Sequence, residues 1–228
     1  MRKKILVISH ERSGTHFLIN TIAQCFNYLP QQIDLDNSQN INWGNPDIAK
    51  NWMQQFQGRF VAKIFKSHHA NPVLSHLLPE LQNEYQVFYI QRDGRDVMTS
   101  FWIYLNRLAP GWGPRARTVG EFMRATAAGG ITQYQATQKH MTMLQRWATH
   151  VEGWNQLDLP IHYVTYEDLQ NHHQRVSTVR GYGARLHPSR NWRSFESDLF
   201  HRAERHGQVH RSAASIRFFE QWIHADHQ

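Results

Sequence analysis

Apolar and polar positions along this chain alternate between two patterns. Lys4-Ile5-Leu6-Val7-Ile8-Ser9 is a short apolar run bounded by polar residues, the form of a strand buried on both faces. From Gly14 to Tyr28 the spacing turns helical, with Phe17, Leu18, Ile22, Cys25 and Phe26 as its apolar positions. Residues 30–58 are rich in Gln, Asn and Asp and predict a loop with one short helix around Ile48 to Phe56. Phe60 to Phe65 reads as a second strand and Gln86 to Ile90 as a third. Between Asp96 and Leu108, one helical face carries Val97, Phe101, Tyr104 and Leu108. Residues 109–136 contain Pro110, Pro114 and five Gly with few apolar anchors, and predict a mobile excursion. Met141, Leu144, Trp147, Val151 and Trp154 recur at intervals of three and four, an amphipathic helix, and Ile161 to Val164 is a fourth strand. Strands separated by helices imply βαβ units, hence an α/β fold with a central parallel sheet flanked by helices.

Composition narrows this reading. A length of 228 residues fits one domain over 1–228, and twelve Phe, eight Trp and eight Tyr supply the bulk that disordered chains lack. Within it, 1–170 holds the alternating core. The last 58 residues have nine Arg, eight His and no Lys, so 171–228 reads as an Arg/His-rich extension of the same domain. No run approaches the roughly 18 apolar residues that cross a bilayer. Met1-Arg2-Lys3-Lys4 opens like a signal peptide, but the four apolar residues that follow fall short of the about 7–15 of a secretory segment. One cysteine, Cys25, excludes an internal disulfide and a Cys-based zinc site. The expectation is a soluble, cytoplasmic protein. A formal charge of +7 points to an anionic partner: nucleic acid, an acidic membrane, or a phosphorylated or sulfated small molecule.

In an open parallel sheet, ligands sit beyond the carboxyl ends of the strands. Three polar clusters fall there. Ser9 to His16 follows the first strand. A Gly there lets backbone N–H groups turn towards an anion, Ser13 and Thr15 add hydroxyls, and Arg12 adds a full charge; ordinary helix capping by Ser13 or Thr15 reads the same residues differently. There is no Walker A pattern. Lys66-Ser67-His68-His69 follows the second strand, and pairs a cation with an imidazole able to act as a general base, or is simply a polar strand end. Arg92 to Ser100 follows the third, where Arg92 and Ser100 suit a shared phosphate, or where Arg92, Asp93, Arg95 and Asp96 make a surface network.

Taken together, Arg12-Ser13-Gly14-Thr15-His16, Lys66-Ser67-His68, Arg92 to Ser100, and Tyr166-Glu167-Asp168-Leu169 after a late strand resemble, in order and spacing, the four motifs of the PAPS-dependent sulfotransferases. Those enzymes take their sulfuryl group from 3′-phosphoadenosine 5′-phosphosulfate (PAPS). The resemblance implies a P-loop-like phosphosulfate cradle at Arg12, Ser13, Gly14, Thr15 and His16, with Phe17 near the adenine. It implies Arg92 and Ser100 at the 3′-phosphate, Tyr166 near the base, His68 as general base, and Lys66 and Arg12 as stabilisers of charge on the transferred group. Transfer would go to a hydroxyl or amine of a small-molecule, glycolipid or carbohydrate acceptor, with no metal. Two positions depart from the family: Arg12 stands for Lys, and His16 for a hydroxyl. The family's late Arg-Lys-Gly loop has its nearest counterparts in Arg180, Gly181 and Arg193, in a stretch shorter than usual.

Other features have plainer accounts. His206 and His210, four apart, lack a carboxylate or cysteine to complete a metal site, and read as surface histidines of a basic tail, as do His172 and His173. Trp102, Tyr104, Trp112 and Phe122 flank residues 109–136, where they either line an acceptor pocket or pack the excursion onto the domain. The alternative functional class is a non-catalytic binder of adenosine phosphates or nucleic acid. Against nucleic acid, no recognised module is present.

Overall fold

The computed structural model describes residues 4–26, 32–36, 45–55, 64–78, 84–134 and 140–171. Five strands, β1 (Lys4–Ser9), β2 (Gln32–Asp34), β3 (Ile64–Ser67), β4 (Tyr85–Gln91) and β5 (Ile161–Thr165), form one sheet in the order β2-β3-β1-β4-β5. Every pairing is parallel. Ile8 of β1 is level with Ser67 of β3 on one side and Tyr89 of β4 on the other, so the carboxyl ends of the three inner strands share one edge.

The helices are α1 (Thr15–Phe26), α2 (Pro46–Gln54), α3 (Asn71–Leu74), α4 (Gly94–Arg107), α5 (Val119–Arg124) and α6 (Met143–Asn155), with a 3-10 helix at Gly129–Tyr134. A helical segment over 166–171 follows β5 directly. The expected βαβ alternation is therefore present. Because β1 is covered on both faces, its side chains alternate between two cores. Leu6 and Ile8 join Phe65, Tyr89 and Trp154 on one face, while Ile5 and Val7 join Leu18, Ile19 and Ile22 of α1 on the other.

Two expectations are corrected. The polar stretch 30–58 holds a strand, β2, as well as the expected short helix. Only Ile33 of its three residues is apolar, too little to register as a strand in the sequence. The excursion at 109–136 is folded onto the domain where it is described. Phe122, Met123, Ala127 and Ile131 are buried and form a third core with Val97, Met98, Phe101 and Leu105 of α4 and Met143 of α6. Backbone hydrogen bonds from Ala127 to Met141 and from Met143 to Ala125 seal it. Among the described residues, no helix is long and apolar enough to cross a membrane.

Candidate active site

The loop from β1 to α1 carries two left-handed residues, Arg12 at φ +68° and Gly14 at φ +98°. Arginine is rarely stable there, at a cost of roughly 1–2 kcal/mol. The loop is held from below. Ser9 Oγ lies 2.6 Å from Thr15 Oγ1, which joins the end of β1 to the first residue of α1. Gly14 leaves no room for a side chain: a Cβ there would come within 2.4 Å of the Tyr166 ring.

His68 meets this loop from β3. Its Nδ1 is 2.9 Å from the Ser9 carbonyl oxygen and 3.1 Å from Ser9 Oγ. A carbonyl oxygen only accepts, so Nδ1 carries a proton and, in the neutral ring, Nε2 carries the lone pair. Lys66 and Ser67 are the last residues of β3 rather than lying past it. Lys66 is almost fully buried, and its ammonium donates to Asp34 Oδ2 at 2.7 Å and lies 3.6 Å from Asp36 Oδ2. Asp36 Oδ1 accepts from the His68 backbone N–H at 2.8 Å and from Ser67 Oγ at 3.3 Å, and faces His69 Nδ1 at 3.2 Å. Burial pushes the Asp36 carboxyl up, but the hydrogen bond from His69 and the charges of His68 and His69 outweigh it and hold the group below the usual range. His16 projects towards the same place; burial first, then the charges of Lys66 and His68, lower its pKa.

The third cluster comes from β4 and α4. Arg12 Nε donates to Ser100 Oγ at 3.1 Å, and its guanidinium lies 4.8 Å over the Tyr104 ring. Arg92 lies 4.3 Å over the Tyr166 ring and 3.3 Å from Asp96, while Arg95 pairs with Asp93. The surface network read in the sequence thus exists beside the candidate site. Arg92 Nε is nonetheless buried with no hydrogen-bond partner among the described residues, a donor available to an anion. Phe17 and Tyr166 meet edge to face at 5.7 Å, making an aromatic shelf between the first and third clusters. Glu167 Oε1 accepts from the Asp93 backbone N–H at 3.4 Å, which ties the fourth motif to the third.

Arg12, Ser13, Gly14, Thr15, His16, Phe17, Lys66, His68, Arg92, Ser100 and Tyr166 therefore lie along one end of the sheet. Arg180, Gly181 and Arg193 lie outside the described residues, as do the His pairs at 172–173 and 206–210. The four aromatics of the excursion divide. Phe122 is core, and Trp102 Nε1 donates to the Ala116 carbonyl at 3.0 Å. Tyr104 and Trp112 are exposed.

Two groups of functional side chains are not evident in the sequence. Asp34 and Asp36 belong to the polar stretch read as loop. Glu11 and His10 sit inside the first motif but point down, where Arg146 of α6, only 1% exposed, donates to Glu11 Oε1 and to His10 Nε2, the latter at 3.0 Å. Burial lowers His10 to about 4, with the Arg146 charge adding to it against the opposing pull of Glu11. Arg146 overcomes burial to hold the Glu11 carboxyl far below its ordinary range. The short spacing Asp34-x-Asp36 after a lone apolar residue was the available signal for the first pair. Nothing local marks the second.

Residues 2–179 match the family described as Sulfotransferase domain. No curated protein matches the chain. Among solved structures, the chain is similar to mouse sulfotransferase SULT7A1 complexed with PAP, at 16% identity over 93% of this chain and 69% of that one, with a TM-score of 0.47. It is also similar to retinol dehydratase in a complex with retinol and PAP, at 15% identity over 86% of this chain and 64% of that one, TM-score 0.48. A further structure, retinol dehydratase with androsterone and inactive cofactor PAP, gives 14% identity, 99% and 79% coverage, and a TM-score of 0.45. The family match spans well over half of the chain and takes in every motif gathered at the sheet edge, so the chain belongs to the sulfotransferase domain family.

Proposed function

We propose that this sulfotransferase takes a sulfuryl group from PAPS and passes it to a hydroxyl or amine of a small organic acceptor, with His68 as the general base. The observation that carries the reading is the hydrogen bond from His68 Nδ1 to the Ser9 carbonyl. It fixes the tautomer, leaves Nε2 as the basic nitrogen, and holds the imidazole against the loop that would cradle the donor. The residues fit an anionic nucleotide. Arg12 and the left-handed turn at Gly14 suit the phosphosulfate, and the buried unpartnered Nε of Arg92 with Ser100 suits the 3′-phosphate. Phe17 and Tyr166, set edge to face, offer aromatic rings for the base to pack against. Arg180, Gly181 and Arg193 belong to the proposal as further contacts from the C-terminal segment.

In the transfer, the acceptor oxygen forms a bond to sulfur as the bond from sulfur to the bridging oxygen breaks, with its electron pair leaving on the 5′-phosphate. The acceptor proton goes to His68 Nε2. Charge shifts towards the bridging and sulfuryl oxygens, and fixed cations there lower the barrier without reorganising. Arg12 and Lys66 take that role in this reading, Lys66 while sharing its charge with Asp34 and Asp36. The exposed rings of Tyr104 and Trp112 suit an apolar small-molecule acceptor; a glycolipid or carbohydrate acceptor remains the second reading.

The test is thermal unfolding with adenosine 3′,5′-bisphosphate, the expected product, followed by turnover. At about 100 times its Kd the ligand should add roughly 2.7 kcal/mol of stability, and ATP should not reproduce this. His68→Ala should keep that shift and lose about 10²–10⁴-fold in turnover, the usual value of a general base. Equal loss of binding and turnover would remove His68 from the role of base, and strong salt-dependent nucleic-acid binding without the shift would favour the alternative class.

A further inference from the structure

The side chain of Asp36 is 1% exposed. Its Oδ1 is fully used, by the His68 backbone N–H, Ser67 and His69. Its Oδ2 has no hydrogen-bond partner among the described residues. A buried carboxylate oxygen without a donor costs about 1–3 kcal/mol or more and requires an explanation. Lys66 makes an ion pair with it at 3.6 Å, but its hydrogen bond goes to Asp34. Oδ2 also faces His68 Nε2, at 3.9 Å. With Nδ1–H committed to Ser9, Nε2 presents a lone pair to a carboxylate, and the two have nothing to share.

That changes when Nε2 takes a proton. We propose that Asp36 is the positioning and charge-balancing partner of His68: it orients the imidazole through the His68 backbone, and its negative charge balances the imidazolium that forms when the acceptor's proton arrives at Nε2. This rests on the reading of His68 as base. The proton moves from the acceptor oxygen to Nε2 and stays on it; Asp36 gains an opposite charge beside it and takes up no proton. An attraction that exists only once the proton has moved lowers the barrier without tightening the ground state. Asp36 differs from the third member of a Ser-His-Asp triad in facing the nitrogen that accepts the proton, the opposite nitrogen being held by a carbonyl. The charged and titratable groups around the pair are Lys66 and His69 beside Asp36, Asp34 behind Lys66, His16 from α1, and the buried Glu11 and His10, which sense the charge of His68.

Two measurements decide it. Coupling is reciprocal, so it can be read at the carboxylate. Carbon-13 carboxyl NMR should find the Asp36 midpoint raised by about one unit or more in His68→Gln, where the imidazolium is gone, and an unchanged midpoint overturns the proposal. This needs no acceptor. In turnover of PAPS with 2-naphthol as the probe phenol, Asp36→Asn should lower kcat at least tenfold with KM little changed and the stabilisation by adenosine 3′,5′-bisphosphate intact, and Asp36→Glu should recover part of the loss. Full activity in Asp36→Asn overturns the proposal. If His68→Ala is itself active, the base assignment falls first; if His68→Ala is inactive while Asp36→Asn is fully active, only the role of Asp36 falls.

Discussion

Between β1 and α1 the backbone passes through Arg12 at φ +68° and Gly14 at φ +98°, and the two positions carry different constraints. Arg12 lies near the left-handed minimum that a side chain tolerates at modest cost, and its neighbours hold it there: Ser100 by a hydrogen bond and Tyr104 by its ring face. Strain kept in place by surrounding contacts is typical of residues that must present a group to a ligand. Gly14 lies beyond that minimum, and Tyr166 occupies the space a Cβ would need. Gly14→Ala therefore has two independent costs, backbone conformation and displacement of the Tyr166 ring, on which Arg92 also rests. The expected result is a loss of about 1–3 kcal/mol in denaturant unfolding, with the stabilisation by adenosine 3′,5′-bisphosphate reduced as well. A variant of wild-type stability and ligand response would mean that the turn relaxes freely and the glycine has no bearing on the site.

The loop is also fixed to α6, and this connection titrates. Arg146 only donates, so His10 must accept at Nε2, while His10 Nδ1 donates to the Glu11 carbonyl at 2.9 Å. Both nitrogens of a neutral ring are used and a second proton has no place, which with burial explains the lowering to about 4. His150 of α6, fully buried against Tyr89, is lowered further, by burial first and by the His10 and Arg146 charges. Between about pH 6.5 and 4 the unfolded chain then binds protons that the folded chain refuses, so stability falls as pH falls through that window. It is complete above about 6.5, and the share of His10 is on the order of 3 kcal/mol. Glu11 has the same protonation preference, although its deprotonated form is the charged one, and so the same outcome. Its carboxylate is favoured by folding, and that stability is present above its ordinary value and lost at lower pH as acid protonates it. Urea midpoints should fall steadily from pH 7 to pH 4.5, and His10→Asn should flatten the slope; an unchanged slope would show that His10 does not refuse its proton. The elements themselves were largely legible, because the strands of this sheet are continuous apolar runs and α4 and α6 have strong helical periods. Glu11 and Arg146 escaped because they are 135 positions apart, and charge partners that distant leave no local pattern. β2 and its carboxylates escaped because a three-residue edge strand with one apolar side chain has no period to detect.

The sheet order explains why the motifs meet. The chain leaves β1 towards β2 and β3 on one side, and leaves β4 towards β5 on the other, so a crevice opens between β1 and β4 at their carboxyl ends. The Arg12–Ser100 hydrogen bond spans that crevice, and Tyr166 after β5 closes one end of it. Charge at this end is incomplete for the donor proposed. Near Ser100, the described residues supply a 3′-phosphate with Arg92, whose guanidinium is shared with Asp96 at 3.3 Å, and with Arg12, which the proposal also assigns to the phosphosulfate. Two cations that also have other partners are a weak match for a group that carries up to two negative charges. The segment 171–228 holds nine Arg against five acidic residues, and contains Arg180 and Arg193, the positions the family resemblance assigns to the 3′-phosphate. Replacing both with Ala should weaken binding of adenosine 3′,5′-bisphosphate about tenfold or more and reduce its dependence on salt, since exposed charge pairs are screened within about 10 Å at 0.1 M. AMP, which lacks the 3′-phosphate, serves as the control and should bind the variant as it binds the wild type. Equal losses for both ligands would point to the fold as a whole, and no loss for either would leave Arg92 and Ser100 to hold the 3′-phosphate without help from the C-terminal segment.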